Sequence, residues 1–167
     1  MRFRLEQRFT APLDAVEGAF VDPAVIAFLA ELPGLGVPQL LEQSVDGDRL
    51  RQRVRMRFEG DLPSAAARVV DRDRLTWIEE STLDRRRHVT EFVILPDHYP
   101  DRLQCHGTVA LFPDGPGTTR RVTEGELRVR AALVASRVER AIVSGLHDHA
   151  ATQEAAVQDW LDAGGPP

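Results

Sequence analysis

The stretch Ser136–Leu161, SRVERAIVSGLHDHAATQEAAVQDWL, decides the fold. Ser136 and Glu139 have the spacing of a capping box, in which hydroxyl and carboxylate satisfy each other's free backbone donors, so a helix is predicted to start here. At 100° per residue, Val138, Ala141, Ile142, Gly145, His149, Thr152, Ala156 and Trp160 fall on one side, with Val134 just ahead of them. That side is expected to face a sheet. Gly164-Gly165 closes the helix, and residues 164–167 are expected to form a disordered tail.

Upstream the period changes from 3.6 to 2. In residues 2–10, Phe3, Leu5, Gln7 and Phe9 share one face and Arg2, Arg4, Glu6 and Arg8 the other, which predicts a strand packed on a core. Pro12 suits the first turn of a helix over 12–20. Asp22-Pro23 supplies an N-cap and a first-position proline for a second helix over 23–32, which Pro33-Gly34 stops. After the apolar loop 33–38, strands are expected near 38–45, 49–58, 64–70, 74–82, 86–95, 102–112 and 119–130. Asp46-Gly47 provides a hairpin turn. In 49–58, Leu50, Gln52, Val54, Met56 and Phe58 alternate with Arg49, Arg51, Arg53, Arg55 and Arg57. Successive hairpins give an antiparallel sheet. The predicted architecture is one α+β domain over residues 1–163, with seven or eight strands curved around the last helix.

This order resembles the START-like, or helix-grip, superfamily, which includes the birch-pollen-allergen and polyketide cyclase/aromatase types. Four stretches carry a closer resemblance to a bacterial branch of unknown function: Met1–Gln7, Asp73-Arg74-Leu75-Thr76-Trp77, Pro96-Asp97-His98-Tyr99 and Arg137–Leu146. The resemblance implies a sheet gripping the long helix around a cavity for an apolar or amphipathic small molecule. It supplies no catalytic residues, because the superfamily shares no common motif and fold alone does not fix function.

Composition bounds the function. The chain has 167 residues and a net charge of −5, and all 21 of its basic residues are arginine. An acidic chain without aromatics interleaved among its arginines is not expected to bind nucleic acid. The arginine row on 49–57 is expected to be a solvated face paired with carboxylates such as Glu124 and Glu126. A single cysteine, Cys105, excludes an internal disulfide and a paired-cysteine metal site. No signal-like or membrane-spanning run occurs, so no membrane insertion is expected and the cytoplasm is the expected compartment. No glycine-rich phosphate loop or dinucleotide fingerprint appears, and no cofactor is called for.

Several residues invite chemistry. His147-Asp148-His149 fails as a metal motif, because positions i and i+2 on a helix diverge. Cys105 and His106 alternate on a strand and cannot act as a nucleophile–base pair. Glu79 shares a face with Trp77 and is expected to point inward, where a carboxyl acquires a raised pKa or a cationic partner; its bland alternative is a strand-end residue in solvent or paired with an arginine. His149 is either a polar anchor in a pocket or a core histidine, and Gly145 either a cavity wall or a point of close strand approach. The expected pocket lining is Val54, Met56, Phe58, Trp77, Phe92, Cys105, Val109, Ile142, Gly145 and His149. Binding of an apolar or aromatic small molecule is the leading reading. A cyclase- or aromatase-type enzyme using His149 and Glu79, and a protein-interaction domain, are the alternatives.

Overall fold

The computed structural model describes residues 1–31, 38–57, 71, 74–131 and 133–164. The elements are β1 (Arg2–Phe9), α1 (Leu13–Val21), α2 (Pro23–Ala30), β2 (Gln39–Asp46), β3 (Arg49–Arg57), β4 (Thr76–Asp84), β5 (Val89–Pro96), β6 (Leu103–Pro113), β7 (Thr119–Val129) and α3 (Ala135–Ala163). The expected strand over 64–70, Phe58, loop residues 33–37 and the tail beyond Gly164 lie outside the described residues.

The seven described strands form one antiparallel sheet in the order β1-β7-β6-β5-β4-β3-β2. Every consecutive pair from β2 to β7 is antiparallel and adjacent, and β1 returns to pair with β7. β1 buries every second residue, as its alternation predicts. Asp22 caps α2 by accepting from the Ala24 N–H at 2.8 Å, with Pro23 at the first helical position. Gly47 takes φ of +58° in the β2–β3 turn, a backbone state that costs glycine nothing.

α3 covers the β1–β7 side of the sheet. Its contact face is Ile142, Val143, Leu146 and Ala150, packed on Phe3, Leu5, Cys105 and Leu127. Further along, Ala156, Val157 and Trp160 pack with Phe9 and with Val16, Val25 and Leu29 of α1 and α2. This face is rotated from the expected stripe: Gly145 and Thr152 are exposed, and His149 lies on the flank, half-buried. Alanine and glycine occur on both sides of the true contact face, so apolar content alone does not fix the helix phase. α3 is also fastened to β1 by side chains, with Glu154 accepting from Arg8 N–H at 3.0 Å and Gln158 from Thr10 N–H at 2.8 Å.

The capping box does not form. α3 starts at Ala135 after Val134, with no side-chain cap. Glu139 instead accepts the backbone N–H of Val129 at 2.9 Å and lies 3.7 Å from the amino group of Met1. A long-range partner has outcompeted the local one. At the other end, Gly164 adopts φ of +74° and its N–H reaches Leu161 O.

The arginine row of β3 does face outward, but its carboxylate partners differ from those expected. Arg53 meets Glu80 at 2.8 Å and Glu42 at 3.8 Å, and Arg55 meets Asp97 at 3.3 Å. Glu124 pairs with Arg4 and Glu126 with Arg128, because β6, β5 and β4 separate β7 from β3 in the sheet. Two of the quoted stretches meet in space. Asp97 N–H donates to Thr76 O at 3.0 Å, an Arg74 Nη2 to His98 Nδ1 contact measures 3.4 Å, and Arg74 and Arg102 both lie over the Tyr99 ring. β5 begins at Val89 rather than 86, since His88 takes φ of +53° in the preceding turn and its Nδ1 lies 2.8 Å from Glu17.

Candidate functional site

Directly paired residues of neighbouring strands share a face, so the register traces the concave surface. Cys105, packed beneath α3, pairs with Ile94, Ile94 with Glu79, and Glu79 with Val54. The next row runs Phe3, Gly125, Gly107, Phe92, Ser81 and Gln52. Trp77 pairs with Met56 at one end of this face, and Val109 with Thr123 toward the other. Because α3 packs on the β1–β7 side, Val54, Met56, Trp77, Glu79, Phe92 and Val109 stay only half-buried although they face inward.

The middle of this surface is bare backbone. A Cβ on Gly107 would sit 2.2 Å from Glu124 O and 2.9 Å from Phe92 Cζ; one on Gly125 would sit 2.5 Å from Phe3 Cζ. The two glycines are partners across β6 and β7, and their missing side chains let the two phenyl rings lie close against the sheet.

Polar groups also reach this face: Gln52 and Ser81 in the second row, Gln7 on β1, Glu79 on β4, and a group on β7. Arg121 of β7 shares the inner face with Thr119 and Thr123. Its Nη1 donates to Gln7 Oε1 and, at 3.5 Å, to Thr123 Oγ1. Its Cζ stands 4.1 Å from the centre of the Phe20 ring on α1. Nε and Nη2 have no protein partner among the described residues, and the side chain is only partly buried. Gln7, 2% exposed, passes the connection on: its Nε2 donates to Ala150 O of α3 at 2.7 Å.

Glu79 projects from mid-β4. Among the described residues its carboxyl makes no hydrogen bond or ion pair. Burial pushes its pKa up, and the Arg121 charge pulls it back only in part. Arg121 is lowered to about 10 by burial, with Glu79 opposing. His149 is lowered by burial and then by the Arg121 cation, which favours the neutral ring. Cys105 is raised to about 11, first by burial and then by the Glu79 charge. It is an inert buried thiol, 8% exposed.

The structure thus places Val54, Met56, Trp77, Glu79, Phe92, Cys105 and Val109 on one concave face, with Ile142 packed over it from α3. Gly145 stands apart, exposed, with nothing within 4 Å of an added Cβ. His147 is exposed and His149 half-buried on the α3 flank. Sequence reasoning missed Arg121. The signal was present, since strand parity puts it with Thr119, Thr123 and Leu127, but the doublet Arg120-Arg121 disguises which of the two turns inward.

Among the described residues no group of three or more potential metal ligands occurs, and no helix is long and apolar enough to cross a membrane. Among curated proteins none matches the sequence. Solved structures share the fold at low identity. TTHA0849 from Thermus thermophilus is 16% identical, with a TM-score of 0.68 over 99% of this chain and 100% of that one. The Zhui aromatase/cyclase from Streptomyces sp. R1128 is 17% identical, with a TM-score of 0.69 over 99% of both chains. Norcoclaurine synthase from Thalictrum flavum, in complex with dopamine and hydroxybenzaldehyde, is 19% identical, with a TM-score of 0.65 over 100% of this chain and 89% of that one. These likenesses establish the helix-grip fold. A family model matches residues 4–161, and the chain therefore belongs to the family described as Protein of unknown function (DUF2505).

Proposed function

We propose that the concave face between the sheet and α3 binds an apolar or aromatic small molecule that carries one polar end. The observation that carries this reading is the half-open apolar surface of Val54, Met56, Trp77, Phe92 and Val109, into which Glu79 projects without a protein partner among the described residues. Mostly apolar walls with a few convergent polar groups are the usual composition of a small-molecule site. His149 serves as a neutral hydrogen-bonding group on the flank of α3.

The test has two parts. Native mass spectrometry of freshly purified protein is expected to reveal a co-purified small molecule. Independently, 2-naphthol is expected to quench Trp77 fluorescence saturably in a Trp160→Phe background, which removes the signal of the tryptophan packed against α1 and α2. No bound mass together with no saturable quenching rejects the reading.

A second reading is cyclase- or aromatase-type proton transfer. It is favoured by the opposite shifts of two groups: burial pushes the Glu79 pKa up and the His149 pKa down. In that case Glu79→Gln and His149→Ala abolish conversion of a polyketone chain while leaving its binding measurable. Equal turnover in wild type and both variants removes this reading.

A further inference from the structure

We infer that the polar end of the ligand is a carboxylate, received by the free edge of Arg121. This rests on the binding reading above and assigns the chemical class of what binds. Arg121 spends only Nη1 on the protein, on Gln7 and Thr123. Among the described residues Nε and Nη2 have no protein acceptor, and the side chain is only partly buried. Those two atoms present parallel N–H bonds at the spacing of the two oxygens of a carboxylate.

The guanidinium is also held in place. Phe20 stacks on it at 4.1 Å, and Gln7 is itself anchored to Ala150 of α3. A cation locked on one edge and one face leaves its remaining edge to a guest. Glu79 does not fill that role, because no ion pair joins it to Arg121. The nearby polar groups favour a single negative charge over a phosphate dianion. Among the described residues Arg121 is the cation that acts on Glu79 and His149, Glu79 is acidic, and the whole chain carries −5. The chain has no lysine, so no side-chain amine is available to capture a carbonyl covalently.

The probes are 2-naphthoate and its neutral counterpart 2-naphthamide, compared by isothermal titration calorimetry on the whole chain. Naphthoate is expected to bind about tenfold tighter or better, the margin of a charge-assisted contact. Arg121→Gln is expected to erase that preference, so that naphthoate binds no tighter than naphthamide. Arg121→Lys, which keeps the charge and loses the fork, is expected to keep part of it. The wild-type ratio decides even where a variant does not fold. Naphthamide binding as tightly as naphthoate, or a folded Arg121→Gln protein that retains the preference, overturns the carboxylate assignment and leaves the binding reading standing. Neither probe saturating overturns the carboxylate assignment, and together with no co-purified mass and no saturable 2-naphthol quenching it overturns both.

Discussion

The side chain of Gln7 joins Arg121 to the last helix: its oxygen accepts from the guanidinium, and its nitrogen donates to Ala150 O. Gln7 is thus the bolt between sheet, helix and the inward cation. Replacing it with leucine keeps the volume but strands a buried carbonyl and a guanidinium. Gln7→Leu is expected to lower stability by about 2–3 kcal/mol, read as a drop in the urea midpoint at unchanged slope. A midpoint within error of wild type refutes the bolt.

Glu79 is expected to oppose folding at neutral pH. Its folded pKa lies above the ordinary 4.5, so between 4.5 and that raised value the folded state holds a proton that the unfolded chain has released. The stabilising contribution is complete below that window and is lost as pH rises through the folded pKa. Glu79→Gln should therefore raise the melting temperature at about pH 8, with the gain fading toward about pH 4. A variant that melts at or below wild type at the higher pH contradicts this.

His149 carries the reverse sign. Burial and Arg121 hold its pKa below the ordinary 6.5, so the unfolded chain takes up the proton first and acidification through that range destabilises the fold. An NMR titration is expected to show a midpoint below 6.5 that moves back up in Arg121→Gln. His149→Ala should weaken 2-naphthol binding by about 1 kcal/mol and keep the fold, whereas His147→Ala should change neither. Equal affinity in wild type and His149→Ala ends the anchoring role.

Glycine substitutions should split in direction. Gly145→Ala meets nothing within 4 Å and lies mid-helix, so it is expected to stabilise by up to about 1 kcal/mol. Gly107→Ala drives a Cβ to 2.2 Å from a backbone oxygen and should prevent native packing. Thermal melts of both variants check this, and similar behaviour in the two would be a failure of the geometry.

Parity made most of the sheet legible. The alternation of β1 and β3 named their inward residues, and Glu79 follows from sharing a face with Trp77. Helix phase was harder, because Ala141, Gly145 and Thr152 look as suitable for burial as Ala150 and Val157. The capping box failed because Glu139 is claimed by Val129 N–H, a partner no local spacing reveals. Arg121 was hidden in the doublet Arg120-Arg121, and a stacking ring and an acceptor on β1 make its inward position tenable.

The grip of Glu154 and Gln158 on Arg8 and Thr10 reaches beyond the anchoring of α3. An open sheet has two raw edges, and an unpaired row of N–H groups invites a strand from another molecule. Two acceptors four residues apart on a helix meet two donors two residues apart on β1 and just beyond it, and that part of the edge is already occupied. The opposite edge, β2, is interrupted at Leu41, where the register with β3 slips. Fibril-like stacking is thereby obstructed at both ends, on one side by occupation and on the other by irregularity.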